Sequence, residues 1–293
     1  MSKKPMKRKT RENLAGWMFL SVWVIGFIVF TMYPLFMSFY YSLSKVTLSG
    51  EGIQVSFEGF QNYRQIFSST QGFSFLQSVG DFAFEILFKV PIITVFAIII
   101  AVMLNQDIKA RGFFRGIYFL PVIIASGPVI NQLVNQGAAT IPLVEQMGLI
   151  DFINNTFTEN LARPIATIFS ELIVILWFSG VQILLFIAAL QKIDRSTYEA
   201  AMIDGAGAWE SFWKITMPSL KSMVLVSVIF TIINLATFSE NKAIAHIKNN
   251  MFALETGFGF SSAIAWVYFV ALAIILFIVF ILLRAFSKEK VRR

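Results

Sequence analysis

From Leu14 to Leu43 the chain runs for 30 residues without a charged side chain. Wound as a helix rising ~1.5 Å per residue, roughly 20 apolar residues cross the ~30 Å hydrocarbon core of a bilayer. Similar runs recur, and their apolar residues do not alternate as the strands of a membrane barrel would. Their placement predicts six spans, at 17–40, 83–104, 114–136, 165–190, 221–240 and 261–283. Glu85, Lys89 and Pro91 interrupt the second, but Glu85 and Lys89 stand four apart, where a helix lets them pair. The first has no small-x-small cleavage pattern and is too long for a signal-peptide core, so it is expected to stay in the mature protein. Composition agrees: 57% of residues are hydrophobic and 14% charged, far from a soluble domain of this size. Cysteine is absent, which excludes disulfides, thiolate metal sites and thiol catalysis.

Orientation follows from the cations. Of 24 Lys and Arg, eighteen fall in the N-terminal segment, the loops around 109–115 and 192–221, and the C-terminal tail. The positive-inside bias then places both termini and these loops in the cytoplasm. The net charge of +7 is read as a topology signal. A nucleic-acid partner is not expected, because the basic residues are spread over several loops beside membrane spans.

Between the fourth and fifth spans lies a polar segment, "EAAMIDGAGAWESFWKITMP", from Glu199 to Pro218. Asp194, Ser196 and Thr197 can cap a short helix starting near Glu199. Ala200 and Ala201 offer a flat surface for close approach, and Gly205 and Gly207 permit a bend. A second short helix is expected to follow, with Trp209, Phe212, Trp213 and Ile215 suited to the membrane surface. Pro218 marks the start of the fifth span. By periodicity alone this is an amphipathic connection between two spans.

The residue identities say more. Glu199, Ala200, Ala201, Gly205, Ile215 and Pro218 fit Glu-Ala-Ala, three residues, Gly, nine residues, Ile-x-Leu-Pro, with Met217 in place of Leu. This resembles the EAA motif of the membrane subunits of binding-protein-dependent ABC importers. Other blocks resemble their carbohydrate-uptake branch, the maltose and glycerol-phosphate type permeases: "YPLFMSFYYSL" (33–43), "FEGFQNYRQIF" (57–67) and "LNQDIKARGFFRGIYFLP" (104–121). Two stretches depart from the pattern. "FSENKAIAHIKNNMFALETGFGF" lacks a Gly-Gly-Pro turn, and "VINQLVNQG" carries amides where the branch has a tryptophan-rich run.

The resemblance implies an all-α polytopic permease fold of the maltose type with six transmembrane helices. It divides the chain into a basic cytoplasmic N-terminus (1–16), a permease domain (17–285) holding the coupling segment 191–220, and a basic tail (286–293). It implies a bacterial cell membrane location and three partners: a second, homologous permease, a cytoplasmic ABC ATPase dimer and an external sugar-binding protein. Glu199, Ala200, Ala201, Asp204, Gly205, Ile215 and Pro218 would couple to the ATPase. Glu199 would pair across the ATPase groove, Asp204 would cap or pair, and Ile215 and Pro218 would anchor the segment. ATP and Mg would be bound by the ATPase and no cofactor by this chain, which has no G-x-x-x-x-G-K-[ST] loop.

No enzyme site is expected. His246 is the single histidine, read as solvated in an external loop, and H-E-x-x-H and G-x-S-x-G arrangements are absent. Polar residues within the spans mark a candidate solute pathway. Glu171, Phe178 and Gln182, with Ile175 and Ser179, fall on one face of the fourth span. Asn131, Gln132 and Asn135 lie on the third, and Asn234, Phe238 and Glu240 on or beyond the fifth. Amides and carboxylates for hydroxyls, and aromatic faces for C–H surfaces, suit a glycan. The same residues would also serve helix packing. Alternatives from other classes are an ion- or proton-driven secondary transporter, which leaves the EAA segment without a purpose, and a membrane scaffold or receptor. Within the family the alternative is a permease for a non-sugar solute.

Overall fold

The structure is a computed structural model that describes residues 8–49, 52–106, 112, 116, 149–158, 172–238, 241–253 and 256–288. The chain is helical nearly throughout these residues because a bilayer core offers no water to the backbone, and an apolar helix satisfies its own N–H and C=O groups. The helices are α1 (Arg8–Phe27), α2 (Tyr33–Ser42), α3 (Gln61–Ile66), α4 (Thr70–Asn105) and α5 (Leu149–Thr156). After them come α6 (Leu172–Leu190), α7 (Arg195–Ile203), α8 (Ala208–Ser211), α9 (Met217–Thr237), α10 (Lys242–Met251) and α11 (Gly257–Lys288).

Four helical stretches are long and apolar enough to cross a membrane: Gly16–Ser42, Thr70–Asn105, Gly257–Ala285 and the run beginning at Ala208 that holds α9. A fifth, Ile175–Leu190, passes the same test with Arg195–Ile203, from which it is bent by 67°. The predicted third span, 114–136, lies outside the described residues. Helix α4 begins at Thr70, well ahead of the predicted start at 83. Phe75, Phe82 and Ile86 are buried at helical spacing there with Ser78, while Gln71, Ser74, Gln77 and Asp81, which also lower its hydropathy, are exposed. Glu85 and Lys89 form the expected ion pair inside this helix.

Two π-turns, Ile28–Met32 and Phe212–Thr216, interrupt helical runs, and each sits just before a proline. A helical proline crowds the carbonyl four residues earlier, which is Phe30 for Pro34 and Lys214 for Pro218. Both carbonyls lie within the π-turns, where i→i+5 bonds (Tyr33 N–H to Ile28 O, Met217 N–H to Phe212 O) widen the coil and relieve the crowding. The second short helix expected to end at Pro218 therefore runs on without a break into α9.

The chain divides into two compact units. One comprises Met1–Gln77 and His246–Phe269 and holds an element absent from the all-helical expectation, an antiparallel hairpin of β1 (Ser44–Ser49) and β2 (Gly52–Phe57) in which Val46 faces Val55. Val46 and Leu48, then Ile53, Val55 and Phe57, alternate with polar residues as strands require. Asn62 pins the start of β1 by donating to Ser42 O and Ser44 O, 3.0 Å each. Gly259 passes so close that a Cβ there would lie 2.1 Å from Ser44 O. His246 stands in α10, not in a loop.

The other unit comprises Ser78–Ala245 and Val270–Arg293. In its core Ala97, Ile98, Ala101 and Leu104 of α4 meet Ile183, Phe186, Ile187 and Leu190 of α6 and Leu220 of α9. The three- and four-residue spacing on α4 and α6 makes each apolar stripe continuous.

Candidate functional site

The coupling segment is built from α7, α8 and the second π-turn. Helix α7 starts at Arg195, not near Glu199, because Asp194 already adopts the extended backbone of an N-cap; its side chain makes no capping bond. No residue of α7 is buried. Glu199 is exposed and reaches Arg195 at 3.5 Å, a solvent-screened pair of little consequence for stability. Ala200 is exposed and Ala201 half-buried.

The end of α7 is a Schellman cap. Gly205 has φ +82°, its N–H donates to Met202 O (3.1 Å), and Ala206 N–H donates to Ala201 O (2.9 Å). The bend read from Gly205 in the sequence thus takes the form of a left-handed helix cap. Asp204 is the C-cap residue, exposed, its N–H bonded to Ala200 O at 3.0 Å. Glu210 accepts from Gly207 N–H at 3.3 Å and starts α8.

Sequence reasoning passed over two residues here. Met202 is 64% exposed and Ile203 87% exposed, two large apolar side chains beside the acidic Glu199 and Asp204. No periodicity signals them, since in a short exposed helix any residue can be a contact. Beyond the cap, Trp209, Phe212 and Trp213 pack ring on ring at 5.1–6.4 Å. With Met217 and with Val95, Ile98 and Val102 of α4 they line an open apolar groove of about 690 Å³. Ile215 lines a smaller cavity behind α7, and Pro218 stands exposed in the first turn of α9.

Of the predicted pathway residues, Asn131, Gln132, Asn135, Glu171 and Glu240 lie outside the described residues. The structure brings the others together where α6 meets α9. Gln182, fully buried, donates through Nε2 to Thr231 Oγ1 (2.8 Å), which donates to Ser227 O (2.8 Å). Among the described residues, Gln182 Oε1 and Ser227 Oγ, both buried, have no hydrogen-bond partner. A buried polar atom left without a partner costs about 1–3 kcal/mol, which sets these two apart from the other polar atoms of the described core. Phe178 and Phe238 meet edge to face at 5.1 Å, and Asn234 is half-buried one turn from Thr231. Ser227 had no signal in the sequence, because a serine within an apolar span reads as a packing residue.

No family model matches the chain. Curated proteins similar to it include the "Probable ABC transporter permease protein YesP" of Bacillus subtilis, 28% identical over 92% of this chain and 90% of that protein. The "Lactose transport system permease protein LacF" of Rhizobium radiobacter is 29% identical over 95% of this chain and 96% of its own length. Among solved structures, a bacterial ABC transporter involved in the import of the acidic polysaccharide alginate superposes with a TM-score of 0.63, at 17% identity over 96% of this chain and 100% of its own. The same kind of fold recurs in a bacterial alginate ABC transporter in complex with an alginate pentasaccharide-bound periplasmic protein, at a TM-score of 0.59 and 17% identity, covering 95% of this chain and 96% of that one. The chain is a multi-pass membrane protein with the fold of ABC importer permeases, and the resemblance first read from Glu199–Pro218, to the sugar-transport permeases of these importers, is borne out over nearly its whole length.

Proposed function

We propose that this chain is the permease subunit of an ATP-driven importer that takes up a carbohydrate, an oligosaccharide by preference, handed over by an external binding protein. Its energy comes from a cytoplasmic ATPase that docks on α7. The observation that carries the reading is α7 itself. This helix has no buried residue, is set at 67° to the preceding span, and presents Glu199, Met202 and Ile203 outward. An exposed apolar pair rimmed by charges is the composition of a docking surface, not of a solvated turn. The relative named for lactose transport and the neighbour in complex with a pentasaccharide-bound periplasmic protein support a glycan and a binding protein. ATP and Mg belong to the ATPase, and a second permease completes the path.

Topology and partnership are tested together. Cysteines introduced at Ala208 and Ser287 are expected to be shielded from an impermeant thiol reagent on intact cells, while those at Thr47 and Asn155 react. The native chain has no cysteine, so it adds no background. The tagged chain is expected to co-purify with an ATPase and a second permease. External labelling at 208, or purification alone, would point to a secondary transporter or scaffold.

Asn131, Gln132, Asn135, Glu171, Phe178, Gln182, Asn234, Phe238 and Glu240 are proposed to line the path. The buried cluster of Gln182, Thr231 and Ser227 supports this, because Gln182 Oε1 and Ser227 Oγ, unpartnered among the described residues, match sugar hydroxyls once α6 and α9 separate. Gln182→Leu keeps the volume and removes the amide. Uptake measured over a glycan panel is expected to show a roughly tenfold rise in KM, the loss of one buried polar contact, with complex yield unchanged. Loss of yield with unchanged KM would assign Gln182 to helix packing.

A further inference from the structure

We propose that the hydrogen bond between Tyr198 and Thr216 is the link through which α7 moves the fifth span, which makes both side chains positioning residues for coupling. The inference rests on the reading of α7 as the docking helix. A docking helix transmits motion only where it is joined stiffly to the spans, and α7, with no buried residue, is not packed into the core along its length. Between the first turn of α7 and α9 lies a cavity of about 380 Å³, lined by Lys192, Asp194, Thr197, Ile215, Ser219 and Met223 among others. Side chains that flank an open cleft carry a displacement less well than close-packed ones. At its other end α7 closes on Gly205 in the left-handed region, a bend held by the backbone bonds of its cap and by Glu210 on Gly207 N–H, with no side-chain bond to a span among the described residues.

Beside this cleft, Tyr198 Oη and Thr216 Oγ1 join α7 to the second π-turn at 2.8 Å. Among the described residues it is the one side-chain hydrogen bond from α7 to another element. Its far end is well placed. Thr216 is buried at 6% exposure and lies inside the π-turn Phe212–Thr216, with Ser211 O also 3.5 Å from its Oγ1. That turn continues into α9, whose Leu220 is fully buried in the core with Ala97, Ile183 and Phe186. A push on α7 therefore enters the helix at a turn whose i→i+5 bonding already departs from the α register, and is received by a packed core.

The test uses the whole complex, purified with its ATPase and second permease and held in lipid nanodiscs. Thr237→Cys puts a thiol at the exposed end of α9, and ATP with orthovanadate is the probe. The parent is expected to show a change in labelling rate when ATP and vanadate are added. Tyr198→Phe and Thr216→Val, each removing one hydroxyl, are expected to shrink that change by about threefold or more while the ATPase stays bound. The double variant should be no worse than the stronger single one, and Thr216→Ser should restore the response. Parent-sized responses in both single variants, or losses that add in the double, overturn the link. So does release of the ATPase by either, since the bond would then serve only to shape α7. A parent with no response removes the docking reading itself, which separates that failure from failure of the link.

Discussion

Gly205→Val is expected to end solute uptake while leaving the protein inserted and paired with its second permease. The cause is backbone geometry alone. At φ +82° a Cβ would meet nothing within 4 Å, so no clash contributes. A β-branched residue in this region is strained by about 1–3 kcal/mol. Relief comes from giving up the Schellman cap, which frees the carbonyls of Ala201 and Met202 and unwinds the last turn of α7, where Met202 and Ile203 are displayed. At 1.4 kcal/mol per factor of ten, ATPase retained on purification should fall by about tenfold. The order of severity is diagnostic: Gly205→Asn mild, Gly205→Ala intermediate, Gly205→Val worst, because asparagine tolerates the left-handed region best. Uptake and substrate-stimulated hydrolysis at normal levels in Gly205→Val would remove this bend from the mechanism.

Gly259→Ala should have a comparably large effect on folding and none specific to coupling. The added methyl would lie 2.1 Å from Ser44 O and 3.1 Å from Asn62 Nδ2, and Ser44 O also accepts from Asn62. A main-chain oxygen held on both sides has no rotamer to escape into. The hairpin must lift from α11, at a cost of about 3 kcal/mol. Thermal denaturation followed by size-exclusion of the detergent-solubilised complex should show a drop in apparent melting temperature and in folded yield. Gly80→Ala is the matched control. Its Cβ meets nothing within 4 Å in the middle of α4, so it is expected to be neutral or to stabilise by about 0.5–1 kcal/mol. Equal behaviour of the two variants would mean that the close approach of Gly259 to β1 does not hold.

Among the described residues, where the long apolar helices lie was legible in the chain because hydropathy over about 20 residues is a local quantity. So was the ion pair of Glu85 and Lys89, which needs only a four-residue offset on one helix. The hairpin was missed although its residues alternate, since two short strands carry a weak signal beside runs of continuous apolar sequence. The early start of α4 was missed because its burial is one-sided, and an average over a window erases a face.

The coupling segment shows the division most clearly. Its chemistry, the Glu-Ala-Ala run, the bend at Gly205 and the proline ahead of the fifth span, is written in residue identity and spacing, which the sequence determines by itself. Whether α7 is held or free, and by what, is not. Tyr198 and Thr216 are eighteen residues apart, with the cap at Gly205 between them and Thr216 inside the π-turn, and they meet at 2.8 Å. The same holds for Gln182 and Thr231, 49 residues apart on helices that meet through their apolar stripes. Local rules fix which residues can cap, bend or pair within one helix. Which side chains meet between helices depends on rotations and turns that accumulate along the backbone, and only the tertiary structure decides them.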